Sequence, residues 1–259
     1  MLAERLKDAR VALARAEKQG SGNVASSLGA ASSVITHAFG NMSLARNISA
    51  GGFAPVGLHE VVCSHDAGAA SILSWYLANV AQAKPEAETV HRAVFWIRQR
   101  RAIDQGGFYH LALPVGPGTM PRPLMLTVDL QITALWSGEE VAKSGQVASI
   151  ILETTDYDLT AARRLQLACE AGGTRMIVLR RASPHAGRLM PSCALTRWKI
   201  EPALGTQPNM TGNMHYLSLI GGRGVRPGSW KVKTDAATFS LSVADPLENR
   251  LSQDQPIHA

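Results

Sequence analysis

Three short, continuous apolar runs separated by helical stretches constrain the fold of this chain more than any other feature. Ala93-Val94-Phe95-Trp96-Ile97, Val147–Leu152 and Met176–Leu179 have strand length, and Ser149 is their one polar member. Strands of this kind are buried on both faces, as in a parallel sheet covered by helices. The segments between them read as those helices. Ala69–Ala83 is Ala-rich, with Ile72, Leu73, Tyr76, Leu77 and Val80 marking one face, and Pro85 stops it. A second helix over Leu130–Lys143 ends in Ser144-Gly145. A third starts at Asp158 or Thr160, runs to Ala171 and is closed by Gly172-Gly173. Leu58–Val62 is a further short strand ahead of the first helix. The pattern predicts an α/β fold with a mostly parallel central sheet flanked by helices.

The flanks differ in character. After Pro191, Leu195–Ile200, His215–Ile220, Ser229–Thr234 and Thr238–Val243 are short and partly alternating, with Gly221-Gly222 and Pro227-Gly228 between some of them. They read as antiparallel C-terminal hairpins extending the sheet. At the other end, Leu2, Leu6, Ala9, Leu13 and Ala16 recur at helical spacing among lysines and arginines, predicting an N-terminal amphipathic helix over 2–18. Gln19-Gly20-Ser21-Gly22 ends it. Ser21–Ser49 is rich in Ser, Ala, Gly and Asn, a linker with one short helix around Ala31–Phe39. The expected organisation is a helix in 1–20, a linker in 21–50, a core in 51–244 and a disordered polar tail in 245–259.

Composition excludes several classes. The 259 residues are 46% hydrophobic and 18% charged, enough for one buried core without staples. No run approaches the roughly 18 apolar residues of a membrane span. The first residues are charged throughout and lack the apolar stretch of a secretory signal. Cys63, Cys169 and Cys193 form neither a C-x-x-C pair nor an even set, so no disulfide framework or zinc site is expected. They read as small core residues in a reduced, cytosolic protein. A formal charge of +6 and a pI near 9.5 permit contact with nucleic acid or an acidic partner without requiring either.

The strand–loop–helix at 58–83 is where a phosphate-binding loop, G-x-x-x-x-G-K-[ST], belongs. Its glycines let backbone N–H groups wrap the phosphates, its lysine supplies charge, and its hydroxyl ligates magnesium. Here the eight positions read Cys63-Ser64-His65-Asp66-Ala67-Gly68-Ala69-Ala70. Only the second glycine remains. Ala69 replaces the lysine, Ala70 the hydroxyl, and Asp66 puts negative charge in the cradle. A helix N-terminus alone favours an anion by roughly 0.3–1 kcal/mol, so no useful ATP affinity is expected.

Around this loop, GGFAPVGLHEVVCSHDAGAAS from Gly51 resembles the segment of RecA that introduces its phosphate loop, without gaps. ALARAEKQ at 12–19 is similar to the end of the RecA N-terminal helix. FWIRQRRAID sits where RecA has its second strand and catalytic glutamate, and EEVAKSGQVASIILETT resembles its helix, Ser-Gly turn and Walker B strand. The closer resemblance is to the ImuA family of degenerate RecA-like proteins from bacterial mutagenic-repair operons. GLHEV at 57–61, DLTAARRLQLACEAGGT at 158–174, TRW at 196–198 and RPGSW at 226–230 carry it, in order, over nearly the whole chain. The water-activating glutamate of RecA falls at Arg100, which cannot act as a base. Glu153 falls at the Walker B acid and keeps its carboxylate. Without triphosphate and metal it reads as a hydrogen-bond partner at a strand end.

The resemblance implies a RecA-like core and a non-catalytic accessory role in SOS-induced, error-prone translesion synthesis. No cofactor or metal is expected. The implied partners are RecA, an ImuB-type Y-family polymerase homologue, an error-prone C-family polymerase complex, single-stranded DNA and a second copy of the chain. The implied setting is the cytoplasm, at the nucleoid, with no membrane contact. Arg98, Arg100, Arg101, Arg180 and Arg181 follow strand ends, the usual ligand edge of an open α/β sheet. With Arg188, Arg197 and Lys199, and Trp198 for base stacking, they form the candidate DNA or partner patch. Two other readings stay open: a SulA-like cell-division inhibitor that binds FtsZ, and a plain DNA-binding module. An active recombinase is disfavoured by Ala69 and Ala70.

Overall fold

Nine strands join into a single sheet in the order β3-β2-β4-β5-β1-β6-β7-β8-β9 in the computed structural model. The structure describes residue 47 and residues 53–63, 67–79, 93–104, 122–155, 157–181, 191–203, 213–235 and 240–247. The predicted N-terminal helix and nearly all of the predicted linker lie outside these residues. The strands are β1 (Gly57–Cys63), β2 (Val94–Gln99), β3 (Leu124–Val128), β4 (Ser149–Thr154), β5 (Arg175–Arg181), β6 (Thr196–Pro202), β7 (Asn213–Gly221), β8 (Gly228–Asp235) and β9 (Ser240–Leu247). The helices are α1 (Ala67–Asn79), α2 (Arg100–Asp104), α3 (Gln131–Ser144) and α4 (Leu159–Gly172). Every pairing from β3 through β6 is parallel, and β6-β7, β7-β8 and β8-β9 are antiparallel. The sheet is therefore mostly parallel with C-terminal hairpins, as its sequence pattern predicts.

The structure departs from the sequence reading in several places, among them α2, a short helix where a loop is expected after β2. β6 extends the parallel block by pairing with β1, and only its β7 side is antiparallel. β3, unforeseen in the sequence, forms the sheet edge beside β2. β9 continues through Asp245-Pro246-Leu247, residues assigned above to the tail. Arg98 and Arg180-Arg181 are strand residues rather than loop residues, because β2 and β5 run on past their apolar stretches.

Alternation along the strands divides the core into two layers. Val61, Trp96, Ile151, Ile177, Leu179 and Trp198 face α1, where Trp75 stacks on Trp96 with ring centroids 6.4 Å apart. Leu58, Ile97, Ile150, Leu152, Met176 and Val178 face α3 and α4. Ser149, the polar exception in an apolar run, has a specific use: its hydroxyl donates to Ala78 O in the last turn of α1. Arg175 donates to Leu77 O of the same turn. Two strand side chains thus satisfy carbonyls that a helix end leaves without partners.

α4 begins where Asp158 accepts a hydrogen bond from Ala161 N at 2.7 Å, one of the two predicted start positions. Its buried stripe of Ala162, Leu165, Ala168 and Cys169 recurs at helical spacing, and Gly173 closes it at φ 63°. The carboxyl ends of α3 and α4 meet backbone to backbone. A Cβ on Gly172 would lie 1.8 Å from Ala142 O, while one on Gly173 would meet nothing within 4 Å. Gly172→Ala is therefore expected to destabilise the protein by about 3 kcal/mol or more through overpacking. Gly173→Ala costs only the left-handed backbone penalty of about 1 kcal/mol. Urea titration of the two variants compares these values, and equal losses would refute the close approach.

Candidate functional site

Four arginines of the predicted basic patch separate into two buried clusters on opposite faces of the sheet. On the α1 face, Glu153 is 1% exposed near the end of β4, between β2 and β5. Trp96 Nε1 donates to its Oε1 at 2.8 Å, and Arg181 Nη2 donates to its Oε2 at 3.1 Å. Arg98 Nε lies 2.8 Å from Oε1, an ion pair by distance whose N–H is not aligned for a hydrogen bond. On the α3/α4 face, Glu60 is fully buried in β1. Arg197 Nε donates to its Oε2 at 2.7 Å, Arg180 Nη1 lies 3.3 Å from the same oxygen, and Tyr157 donates its hydroxyl to Oε1. The Arg180 guanidinium also stands 4.9 Å over the Tyr157 ring. Burial first, and the Glu60 charge second, push the Tyr157 hydroxyl well above its usual pKa, so it remains a donor.

Each cluster sets two guanidinium groups on one carboxylate. The positive charge foreseen at the strand ends is therefore largely spent inside the protein. Arg98 and Arg180 are buried, and Arg181 and Arg197 nearly so. Trp198, expected to be open for stacking, is 1% exposed. Its indole donates to Thr196 Oγ1 and its ring packs near Trp230, because alternation along β6 turns it into the α1-face core. Arg100 is exposed and ion-paired with exposed Asp129 at 2.7 Å, Arg101 is exposed, and Lys199 pairs with Glu201 at 2.7 Å. Arg188 lies outside the described residues.

Of the degenerate loop, Ser64, His65 and Asp66 also lie outside the described residues. Cys63 ends β1, Gly68 is exposed, and Ala69 and Ala70 are buried in the first turns of α1, 4% and 0% exposed. At the two positions that correspond in sequence to the lysine and hydroxyl of a phosphate loop the chain carries buried methyl groups, and the Glu153 carboxylate is engaged by Arg98 and Arg181. Among the described residues no group of His, Cys, Asp and Glu is arranged to hold a metal ion. Cys63 and Cys169 are buried thiols and Cys193 is half-buried, all unbridged; burial pushes the Cys169 thiol up to about 12.

One buried polar group has no counterpart in the sequence reading. His59 is fully buried in β1, stacked on Phe53 at 3.9 Å. Its Nδ1 lies 2.8 Å from Thr196 Oγ1 and its Nε2 lies 3.2 Å from Ala54 O. Trp198 Nε1 donates to the Thr196 oxygen, so the hydroxyl proton is free to go to Nδ1. A neutral ring with its proton on Nε2 satisfies every contact. Arg175, also buried, donates to the same Ala54 carbonyl, and burial lowers its pKa to about 9. Burial first, and the Arg175 charge second, hold His59 well below its ordinary 6.5. The unfolded chain takes up this proton near pH 6.5 and the folded chain does not. The stability involved is complete above that pH and falls as pH drops through it, by up to about 1.4 kcal/mol per pH unit. Urea midpoints between pH 7.5 and 5.5 should show this decline, and His59→Gln should flatten it. An unchanged slope in His59→Gln would place the titration elsewhere.

The fold and its strand ends define a mostly parallel α/β protein with buried ion pairs at the carboxyl ends of its central strands. No family model matches the chain. It is similar to Protein ImuA from two strains of Caulobacter vibrioides, 31% identical over 156 residues in each case, 56% of this chain and 62% of the relative. The chain spans about three fifths of the length of these curated relatives.

Proposed function

We propose that this protein is a non-catalytic accessory factor of an ImuA/ImuB-type mutagenic DNA-damage cassette. The similarity to Protein ImuA supports the cassette, and one observation carries the non-catalytic part. Glu153, at the position of a magnesium-associated acid by resemblance to RecA, is enclosed by Trp96, Arg98 and Arg181. Two guanidinium groups occupy the coordination that a metal would need. The protein then works by contact: it binds RecA and an ImuB-type polymerase homologue in the cytoplasm during error-prone translesion synthesis. The separation of the arginines onto two faces, each with a carboxylate, gives a stacking or phosphate-tracking groove little support. The described helices include none long and apolar enough to cross a membrane.

The test joins two measurements. Deleting the gene should lower damage-induced mutation, and affinity purification of the full chain from DNA-damaged cells should recover RecA and the polymerase homologue. Calorimetry of the purified chain with magnesium–ATP should give no binding heat. Micromolar ATP binding sinks the non-catalytic reading, and unchanged mutation frequency in the deletion strain sinks the cassette reading.

A further inference from the structure

α3 and α4 lie side by side on the sheet, and the groove between their first turns is apolar and open. Ile132, Leu135 and Trp136 line it from α3, and Ala161 and Leu165 from α4, around a cavity of about 320 Å³. Ile132 is 68% exposed and Trp136 58% exposed, one helical turn apart on the same face of α3. Large apolar side chains exposed together mark a contact surface, because water is a poor environment for them. The described lining offers nothing to a phosphate: its cation, Arg164, is paired with Glu139 across the groove at 2.7 Å.

The sequence holds a segment of matching form. Leu2, Leu6, Ala9, Leu13 and Ala16 make one apolar stripe of the helix expected over 2–18. That helix would be about 25 Å long, against about 21 Å for each of α3 and α4. An isolated helix of this length is marginal in water and needs a surface to hold it. The tether permits the contact. Asn47 is pinned ahead of β8, where its side chain donates to Arg226 O and Pro227 O. Residues 19–46 span at most about 90 Å, and a core of this size is about 40 Å across, so residues 2–18 can reach the groove of their own chain. Tethering gives an effective concentration on the order of millimolar, well above that of a second copy in dilute solution. We propose that residues 2–18 dock as a helix in the α3/α4 groove of the same chain, with Leu6 and Leu13 against Ile132, Leu135 and Trp136. The inference needs only the groove and the tether and does not rest on the cassette assignment.

Photo-crosslinking in the full chain tests it. The probe is p-benzoylphenylalanine in place of Trp136, in an equal mixture of unlabelled and isotope-labelled protein. Mass spectrometry should find cross-links from position 136 to residues 2–18, with both ends carrying the same label. Leu6→Glu combined with Leu13→Glu should lower their yield about tenfold or more, since a carboxylate cannot enter an apolar groove unpaired. The same photoreactive group in place of Leu167, exposed on α4 outside the groove, should give none. Cross-links joining labelled to unlabelled chains would assign the groove to a second copy and overturn the proposal. Absence of any cross-link to residues 2–18 would also overturn it and leave the groove to another protein. An equal yield from position 167, or from the double glutamate variant, would show indiscriminate contact and overturn it as well.

Discussion

Glu60→Ala is expected to destabilise the protein by about 3–5 kcal/mol, a large fraction of the stability of a domain this size. The loss comes less from the missing carboxylate than from what it leaves behind. Arg180 is 1% exposed, and its guanidinium would stay over the Tyr157 ring without the carboxylate it pairs with. The Tyr157 hydroxyl would also lose its acceptor. Arg197, 16% exposed at its side chain, has a route to solvent and suffers less. The double variant Glu60→Met/Arg180→Met separates these contributions. A buried ion pair replaced by apolar side chains of similar volume is often neutral or stabilising, so the double variant should recover most of the stability lost by Glu60→Ala. Urea unfolding of parent, single and double variants measures this directly. A single variant within 1 kcal/mol of the parent, or a double variant no better than the single, would show that Arg180 does not depend on Glu60.

The same cluster explains which parts of the site are legible in the sequence. Residue type and approximate strand position suffice to place Arg98, Arg180, Arg181, Arg197 and both glutamates near strand ends. What decides their role is register. Glu60 is opposite Val178 and Arg197, while Glu153 is opposite Leu179. These pairings send the two carboxylates to different faces, each between arginines of adjacent strands. Pairing partners are set by crossover order and strand alignment, neither of which a local window contains. Trp198 and His59 follow the same logic: their exposure depends on the parity of β6 and β1 against α1. β3 escapes because Leu124–Val128 is a half-exposed edge strand following Pro121 and Pro123, a context that reads as loop. By contrast β1, β2, β4, β5 and the helices α1, α3 and α4 are legible because period, stop signals and apolar content agree.

Restoring the loop residues is expected to fail as a route to nucleotide binding. Ala69→Lys places an ammonium group at a position 4% exposed, against a core that includes Val61, Cys63 and Leu73. Ala70→Thr adds two heavy atoms where there is no exposure at all. Ala70 O also accepts the Ser74 hydroxyl in the next turn, which fixes this part of α1 against its neighbours. A buried unpaired amine and an overpacked β-branched side chain each oppose folding. Together they should cost about 3–5 kcal/mol or prevent folding. Ala70→Ser is the milder companion, small enough to fold, and should bind no more magnesium–ATP than the parent. The physical point is orientation: in a phosphate loop the first turn of the helix looks outward at the ligand, whereas here its side chains are part of the core. Calorimetry on Ala70→Ser and, where it folds, on the double variant decides the matter. Micromolar ATP binding by either would mean that the scaffold still presents its helix N-terminus to phosphate, and that the two alanines alone had silenced it.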